Sequence, residues 1–492
     1  MRVLSQLGFL SATETVAVTN LLVIVLSSGF YINGVNMTTK AALISEILLE
    51  IRKAQTESWT PPPDGPIKRM IFPPLLSVGD GRNLAATEEL LRAVVSYARI
   101  YWENDPALKP RFKIDELNRL AERSFANALI ELDFDLSDDE LHPILSDRVA
   151  ELLSEQIEHY DRSVDLVVGC HLFEGDEPFP LQIGPVLFET REGWWRRMLA
   201  AEKLSTTTAR RLHASWSGKA LKKRKVSFDA MAERSILDAV GNCPIICSVA
   251  TEGLAEKYIQ EKGLLAARLA MTAISLTWLR PAEGLRRMNL LYDRRNSLRI
   301  TAVFGSGKRA GMNSDLPDTL FGHHVDAELL EHLRNYRARF DQFGEAIYGY
   351  VQPNRTILRP AMMNALFLSL WWYHEACREP LDQIATTKFA ASMDAFTNSG
   401  KARGIENLIA VRLGCKPKDV FMKDGRTTKK VVDQIYNSGR SKLIHGSSDD
   451  FAHDWTDTRG SAEVVGRLLL IHCCDWILQN RQTDNLKDLS CA

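Results

Sequence analysis

The segment Tyr436-Asn437-Ser438-Gly439-Arg440-Ser441-Lys442-Leu443-Ile444-His445-Gly446 places an arginine and a histidine, with four residues between them, at the end of a predicted helix. A guanidinium is always cationic and holds phosphate oxygens through a planar fork of donors, whereas an imidazole exchanges a proton near neutral pH. If the ribose 2′-hydroxyl is the nucleophile, these two groups can cleave RNA without a metal ion. The pattern predicts that Arg440 holds the scissile phosphate and that His445 acts as general base or acid.

A second pair with the same spacing, Arg467 and His472, provides an internal comparison. Every residue between them is apolar and the pair lies inside a longer apolar run, so we expect His472 to be buried and structural. Around Arg440 the intervening residues are mostly polar or charged, and Gly446 follows as a helix C-cap would. The site is therefore assigned to the first pair, with supporting roles predicted for three neighbouring side chains: Tyr436, Ser441 and Lys442.

The motif and two segments before it resemble a known family. The segments are Leu370-Trp371-Trp372-Tyr373-His374-Glu375-Ala376 and Lys401-Ala402-Arg403-Gly404-Ile405-Glu406-Asn407-Leu408. Together with the motif they are similar to the Apea-like branch of the HEPN domains, over roughly Leu358 to Gln482. The resemblance implies a helical bundle and a metal-independent endoribonuclease, whose Arg-x4-6-His motif often faces a second copy across a homodimer.

The resemblance also implies a biological setting and an alternative. Proteins similar to this one often defend a host against phage by cutting cellular RNA, so a phage-derived or cellular trigger is expected. In the commonest pattern the residue after the arginine is Asn, Asp or His, whereas here it is Ser441. The alternative is a catalytically inactive HEPN-like module that binds RNA or dimerises, because a fold alone does not determine activity.

Helical geometry bears on how the two motif residues could act together. On a regular helix His445 lies about 140° around the axis from Arg440. They can share one phosphate only if the last turn loosens at Gly446 or if a second copy completes the site. The same helix has an apolar stripe that is expected to face the core, with Arg440 at its margin: Val432, Ile435, Tyr436, Gly439 and Leu443.

Composition describes an ordinary globular chain of 492 residues with 45% hydrophobic and 25% charged residues. This length suffices for two or three domains, and the net charge of −1 excludes a broadly basic nucleic-acid binder. The eight cysteines form no Cys-x-x-Cys pair, which argues against zinc and fits a reducing cytoplasm. We predict no metal, no cofactor and no membrane partner.

Three regions are predicted along a mainly α chain. Residues 1–36 form an extension that is either dispensable or, because Val16 to Ile32 is apolar, a membrane or export signal. Residues 37–349 form a sensing or regulatory region, mostly helical α+β with a few strands. Residues 356–485 form the HEPN-like nuclease domain, a helical bundle.

Several elements are predicted within the N-terminal region. Val164 to Phe173 and Leu181 to Phe188 are expected to form a strand pair, and Arg234 to Leu279 is expected to be helical with a break near Pro244. Ser297 to Phe304 is a further predicted strand. It runs into a turn at Gly305-Ser306-Gly307-Lys308, which is not a phosphate loop because its flanking residues do not fit that motif.

A basic segment in the same region mixes cations with Trp194, Trp195 and Trp216. One interpretation is a surface that tracks an RNA backbone, and the other is a solvated helix face with buried tryptophans. The predicted RNA-binding residues are Arg210, Arg211, Lys222, Lys223, Arg224 and Lys225.

Overall fold

The computed structural model of the protein describes residues 39–56, 74–175, 177–293, 299–306, 308–315, 322–446 and 453–491. The predicted extension at residues 1–36 lies outside these residues. The described chain is mainly helical with a few strands, as predicted. It divides into two compact units: residues 1–104 with 118–154, and residues 105–117 with 155–492.

The α-helices, numbered in chain order, are α1 Lys40–Thr56, α2 Glu88–Asn104, α3 Ile114–Glu131, α4 Asp138–Glu158, α5 Arg191–Ala200, α6 Thr206–Trp216, α7 Phe228–Val240, α8 Glu256–Ser275, α9 Pro281–Leu285, α10 Ala327–Asn335, α11 Arg337–Val351, α12 Pro360–Arg378, α13 Asp382–Asp394, α14 Lys401–Leu413, α15 Thr428–Val432, α16 Lys442–Ile444 and α17 Thr456–Gln479. A π-helix, Asp433–Ser441, joins α15 to α16, and 3-10 turns lie at Leu291–Asp293 and Leu486–Ser490.

The strands are β1 Leu75–Ser77, β2 Asn83–Ala85, β3 Ser163–His171, β4 Leu181–Ile183, β5 Val186–Thr190, β6 Ile245–Glu252, β7 Asn289–Leu290, β8 Arg299–Gly305 and β9 Lys308–Asp315. In the first unit β1 and β2 form an antiparallel pair. Its helices bury apolar side chains spaced three and four apart, such as Ile44, Ile47 and Ile51 of α1. Tyr97 of α2 packs edge-on against Phe125 of α3, with ring centroids 5.1 Å apart.

The second unit contains a five-stranded sheet in the order β4-β5-β6-β3-β7. The prediction that Val164 to Phe173 pairs with Leu181 to Phe188 is wrong, because β6 lies between β3 and β5 and pairs antiparallel with both. Leu181 to Phe188 is moreover a hairpin, which turns between Ile183 and Val186. The predicted strand at Ser297 to Phe304 corresponds to β8, which forms a hairpin with β9.

The helix predicted across Arg234 to Leu279 is interrupted by a strand that the prediction missed. β6 occupies Ile245–Glu252, at the centre of the sheet, and its first five residues are all buried. A run of adjacent buried residues is typical of a strand that is covered on both faces, and it shows no alternation of polar and apolar residues. The break at Gly241 to Pro244 was placed correctly, but it separates a helix from a strand.

One hydrophobic core joins the sheet to the C-terminal helices. Its centre is α8, in which every residue from Lys262 to Ser275 is buried except Arg268. This helix contacts the sheet, α11 and α12. Gly263 allows close approach, since a Cβ there would lie 2.6 Å from a methyl carbon of Leu166 in β3. The buried members of this core come from positions between Val168 and Leu489.

A pair of glycines fixes the contact between the β4–β5 hairpin and α11. Gly184 has a φ of +57°, and a Cβ added to Gly344 would lie 2.3 Å from the Gly184 nitrogen. We expect Gly344→Ala to lower the free energy of unfolding by about 2 kcal/mol, because the backbone clash exceeds the gain in helix propensity. Denaturant unfolding measures this change.

The control is Gly349→Ala on the same helix, where the new Cβ would approach a flexible carbon of Ile357 at 3.1 Å. We expect this variant to unfold close to the parent midpoint. An equal loss in both variants would show that the clash at Gly184 is not the cause.

Candidate functional site

The predicted motif lies on a helix that changes its geometry before it reaches Arg440. α15 begins after Thr427, whose hydroxyl accepts from the Lys430 N–H, and continues as the π-helix Asp433–Ser441. The predicted stripe is confirmed for Val432, Ile435, Tyr436 and Gly439, which are buried, while Leu443 is half-buried. π-helical segments are rare and often occur at functional sites.

Gly439 explains how closely this helix packs. A Cβ at this position would lie 3.0 Å from the Thr386 methyl carbon of α13 and 3.6 Å from the Trp455 ring. Trp455 is itself only 7% exposed, and its ring covers the helix at Gly439. A side chain at this position would therefore require the Thr386 methyl group of α13 to shift.

Arg440 is held by two side chains. The Tyr436 hydroxyl hydrogen-bonds with its Nη1, and its guanidinium carbon lies 4.9 Å from the centre of the Tyr436 ring. The same Nη1 lies 3.6 Å from Oδ2 of Asp394, the last residue of α13. The Arg440 side chain is 30% exposed and that of Asp394 is 13% exposed. Burial, followed by the neighbouring Asp394, raises the pKa of Tyr436.

Asp394 is a site residue that the sequence analysis missed. Its Oδ1 accepts from the Thr397 hydroxyl at 2.7 Å and from the Lys401 N–H at 3.2 Å. The loop that supplies these donors contains Asn398, Ser399 and Lys401 at positive φ. Non-glycine residues with positive φ are uncommon and cluster at functional sites. Asp394 lies far from the motif in sequence, so spacing carried no signal for it.

His445 lies at the end of α16, where Gly446 has a φ of +63° as expected for a helix C-cap. The imidazole is exposed, and it makes no hydrogen bond or ion pair within the part of the chain that the structure describes. Lys442 is also exposed and Ser441 is half-buried. The helix does depart from regular α geometry, but over Asp433–Ser441 rather than at Gly446.

The departure matters because a π-turn bonds residues five apart, which is the separation of Arg440 and His445. The π geometry ends at Ser441, however, and the His445 N–H bonds to the Ser441 carbonyl as in an α-helix. The two side chains therefore lie on a helix end of mixed geometry. Completion of the site by a second copy stays a prediction.

The second pair is placed differently from what we predicted. Arg467 is half-buried, and it donates to the Leu276 carbonyl at 3.0 Å and to the Tyr336 hydroxyl at 3.3 Å, so its role is structural. The prediction that His472 is buried is wrong, because its side chain is exposed. Leu468, four residues earlier, and Gln479, seven residues later, share its less buried face of α17.

The basic segment separates into structural and exposed cations. Arg211 Nε and Arg224 Nη1 each lie 2.8 Å from Oε2 of Glu233, which is 6% exposed. The hydrogen bond from Arg211 is the largest cause of the lowered pKa of Glu233. The remaining predicted cations are exposed: Arg210, Lys222, Lys223 and Lys225.

The tryptophans of this region belong to a small core. Trp194 is fully buried with Met198, Leu212 and Ile246, while Trp195 and Trp216 are half-buried against the same cluster. This arrangement matches the interpretation of buried tryptophans beneath a solvated face. RNA binding by the exposed cations stays a prediction.

Comparison with protein-family models, with curated proteins and with solved structures gives no match to this chain in any of the three. Among the described helices, none combines the length and the apolar character that crossing a membrane requires.

Proposed function

We propose that the protein is a cytoplasmic, metal-independent endoribonuclease of the HEPN type, in which Arg440 binds the scissile phosphate and His445 transfers a proton. The observation that carries the proposal is the placement of a partly exposed guanidinium and an exposed imidazole at one polar helix end. The proposed homodimer would bring a second motif to this helix end. A phage-derived or cellular trigger would act through the rest of the chain.

The chemistry needs only groups that this helix end carries. The 2′-hydroxyl loses a proton to the His445 imidazole and attacks the adjacent phosphorus. The expelled 5′-oxygen takes up a proton from the imidazolium that has formed. The guanidinium stabilises the negative charge that grows on the non-bridging oxygens. The products are a 2′,3′-cyclic phosphate and a free 5′-hydroxyl.

This mechanism predicts that cleavage persists in excess EDTA and leaves 2′,3′-cyclic phosphate ends. Purified protein is incubated with labelled RNA, and the ends are identified by their resistance to phosphatase until acid opens the ring. A strict requirement for magnesium, with linear 3′-hydroxyl ends, would overturn the mechanism, because a metal-activated water would then be the nucleophile.

One observation favours the alternative of a catalytically inactive HEPN-like module. In the structure the guanidinium of Arg440 is already engaged by Tyr436 and Asp394. A phosphate that binds Arg440 must share it with the Asp394 carboxylate, and two anions near one guanidinium repel each other. In an inactive protein, the contacts of Arg440 with Tyr436 and Asp394 would serve only to stabilise the packing of the helices.

Asp394→Asn tests whether Arg440 binds phosphate, and it separates the proposed nuclease from an inactive module that does not bind RNA at this position. If Arg440 binds phosphate, removing the negative charge strengthens RNA binding by about fivefold, the effect of roughly 1 kcal/mol at a solvent-screened distance of 4 Å. The Kd of a non-cleavable 2′-deoxy oligonucleotide measures this change. The matched control is Asp433→Asn, a half-buried aspartate on the same π-helix that bonds the Asn437 side chain. Equal Kd values for parent and Asp394→Asn would favour the inactive module.

A further inference from the structure

The start of α7 and the residue before its cap carry apolar side chains that are exposed to solvent. Val226 is 85% exposed, Phe228 is 87% exposed and Met231 is 64% exposed. Among the large apolar side chains of the described residues, Phe228 and Val226 have the two highest exposed fractions. A cluster of this kind marks an interaction site more often than a scattered apolar residue does. These three residues are called the apolar tip.

The three residues of the apolar tip lie around the first turn of α7. The Ser227 hydroxyl accepts from the Ala230 N–H and caps α7, so Val226 precedes the helix. Phe228 and Met231, three residues apart, share one face of its first turn. Residues in the positions of Val226 and Met231 often pack together as a hydrophobic staple. Here both remain largely exposed, so a staple leaves most of their surface in water.

The tip is flanked by cations with no ion pair among the described residues. Lys222, Lys223 and Lys225 are exposed and lie within the four residues before Val226. The carboxylates nearest in sequence are neutralised locally, because Arg224 bonds to Asp229 at 3.1 Å and both Arg224 and Arg211 bond to Glu233. The net charge that this segment presents is therefore positive.

Hydrogen bonds also hold this segment against α6 and its cap. Arg224 donates to the Thr208 hydroxyl at 3.1 Å, and Arg211 donates to the Lys222 carbonyl at 3.0 Å. The Ser205 hydroxyl donates to Asp229 at 2.8 Å. These bonds hold the chain on both sides of the lysines, so binding would require little further loss of backbone entropy.

We propose that the apolar tip and its lysines form a docking site for an anionic lipid bilayer, with the tip among the acyl chains and the lysines at the headgroups. Apolar insertion combined with a basic cluster is the two-part pattern of peripheral membrane binding. The inference does not rest on the ribonuclease activity. It differs from the expectation that the protein has no membrane partner.

Two other partners fit the surface less well. Single-stranded RNA binds aromatic platforms, whereas two of the three tip side chains are aliphatic and Trp194 is buried. A stable protein interface needs about 800 Å² on each partner, far more than three side chains provide. A bilayer requires only local insertion and opposite charge.

The test is co-sedimentation of the full-length protein with vesicles of phosphatidylcholine alone or mixed with phosphatidylglycerol. We expect binding to the anionic vesicles only, weakening as salt is added. Changing Lys222, Lys223 and Lys225 together to glutamine should weaken binding about 100-fold, at roughly fivefold per lysine. Changing Val226, Phe228 and Met231 together to serine should weaken it at least about tenfold, because apolar burial is lost.

The matched control changes Lys416, Lys418 and Lys423, which are also exposed, to glutamine. We expect it to bind as the parent does. Thermal unfolding of each variant verifies that the fold is retained. The proposal is overturned if the parent does not bind anionic vesicles, if the serine variant binds like the parent, or if the control loses as much as the lysine variant. RNA binding that depends on the three lysines, without vesicle binding, would identify the surface as an RNA site instead.

Discussion

Replacing Arg440 with alanine is expected to reduce RNA cleavage by about 10²–10³-fold, the usual effect of losing a donor that stabilises transition-state charge. Replacing His445 with alanine is expected to reduce it by about 10²–10⁴-fold, the range for a general acid or base. Both changes should leave the melting temperature nearly unchanged, because His445 is exposed and Arg440 is 30% exposed. Initial rates on a fluorescent RNA and thermal unfolding of the same samples provide the two measurements.

His472→Ala is the matched control. It makes the same chemical change at an exposed position with the same spacing from an arginine. We expect unchanged cleavage and an unchanged melting temperature. An inactive but folded His472→Ala, together with an active His445→Ala, would show that the site belongs to the second pair and that our assignment is wrong.

Mixing the two inactive variants examines the proposed dimer. In a mixed dimer one composite site can combine an intact arginine from one protomer with an intact histidine from the other. Partial recovery of cleavage on mixing would indicate such a site, whereas an active monomer in sedimentation would contradict it.

Acidification is expected to destabilise the second unit through His374. This histidine is 4% exposed, and burial, reinforced by Arg378, Arg268 and Lys388, lowers its pKa to about 3. Its Nδ1 lies 2.8 Å from the Thr272 hydroxyl, which donates to the Arg268 carbonyl, so we assign Nδ1 as the donor to Thr272. The folded protein therefore holds a neutral imidazole whose second nitrogen carries no proton.

The sign of the pH dependence follows from the lowered pKa. Below pH 6.5 the unfolded chain binds a proton at His374 that the folded chain does not bind until about pH 3. The free energy of unfolding is thus unaffected above pH 6.5 and falls as the pH decreases towards 3. The loss is roughly 2 kcal/mol at pH 5, from 1.4 kcal/mol per pH unit.

His374→Asn is the comparison, since the amide can still reach Thr272 but does not titrate. Denaturant unfolding of both proteins between pH 7 and pH 5 should give a smaller loss for the variant. The difference between the two slopes of unfolding free energy against pH gives the contribution of His374 alone. Glu463 also titrates, but its pKa is raised, chiefly by burial, so its contribution to the pH dependence has the opposite sign. Parallel stability curves would show that His374 is not the titrating group.

The helical part of the fold could be predicted because its cause is local. The segments with apolar residues three and four apart, such as α1, α3 and α12, form helices. β6 was missed for the converse reason. Its buried residues follow one another without a period, and only the strands on either side of it determine that it is a strand.

The candidate site could be predicted only in part for a similar reason. The motif, its C-cap and most of its apolar stripe are sequence patterns, and they correspond to features of the structure. Asp394 reaches Arg440 through the packing of α13 against the π-helix, which no spacing encodes. His472 was misjudged because an apolar sequence run does not define which face of a helix meets solvent.

The continuous core around α8 has a consequence for how the molecule could be switched. α8 contacts both the sheet and α12, and the hydrogen bond between Thr272 and His374 crosses that contact. Separating the C-terminal helices from α8 would expose a large apolar surface to solvent. Release of the C-terminal helices as a separate body is therefore an unfavourable way to activate the proposed nuclease. Small displacements within one cooperative body, such as movement of the Asp394 carboxylate away from Arg440, would leave that core intact.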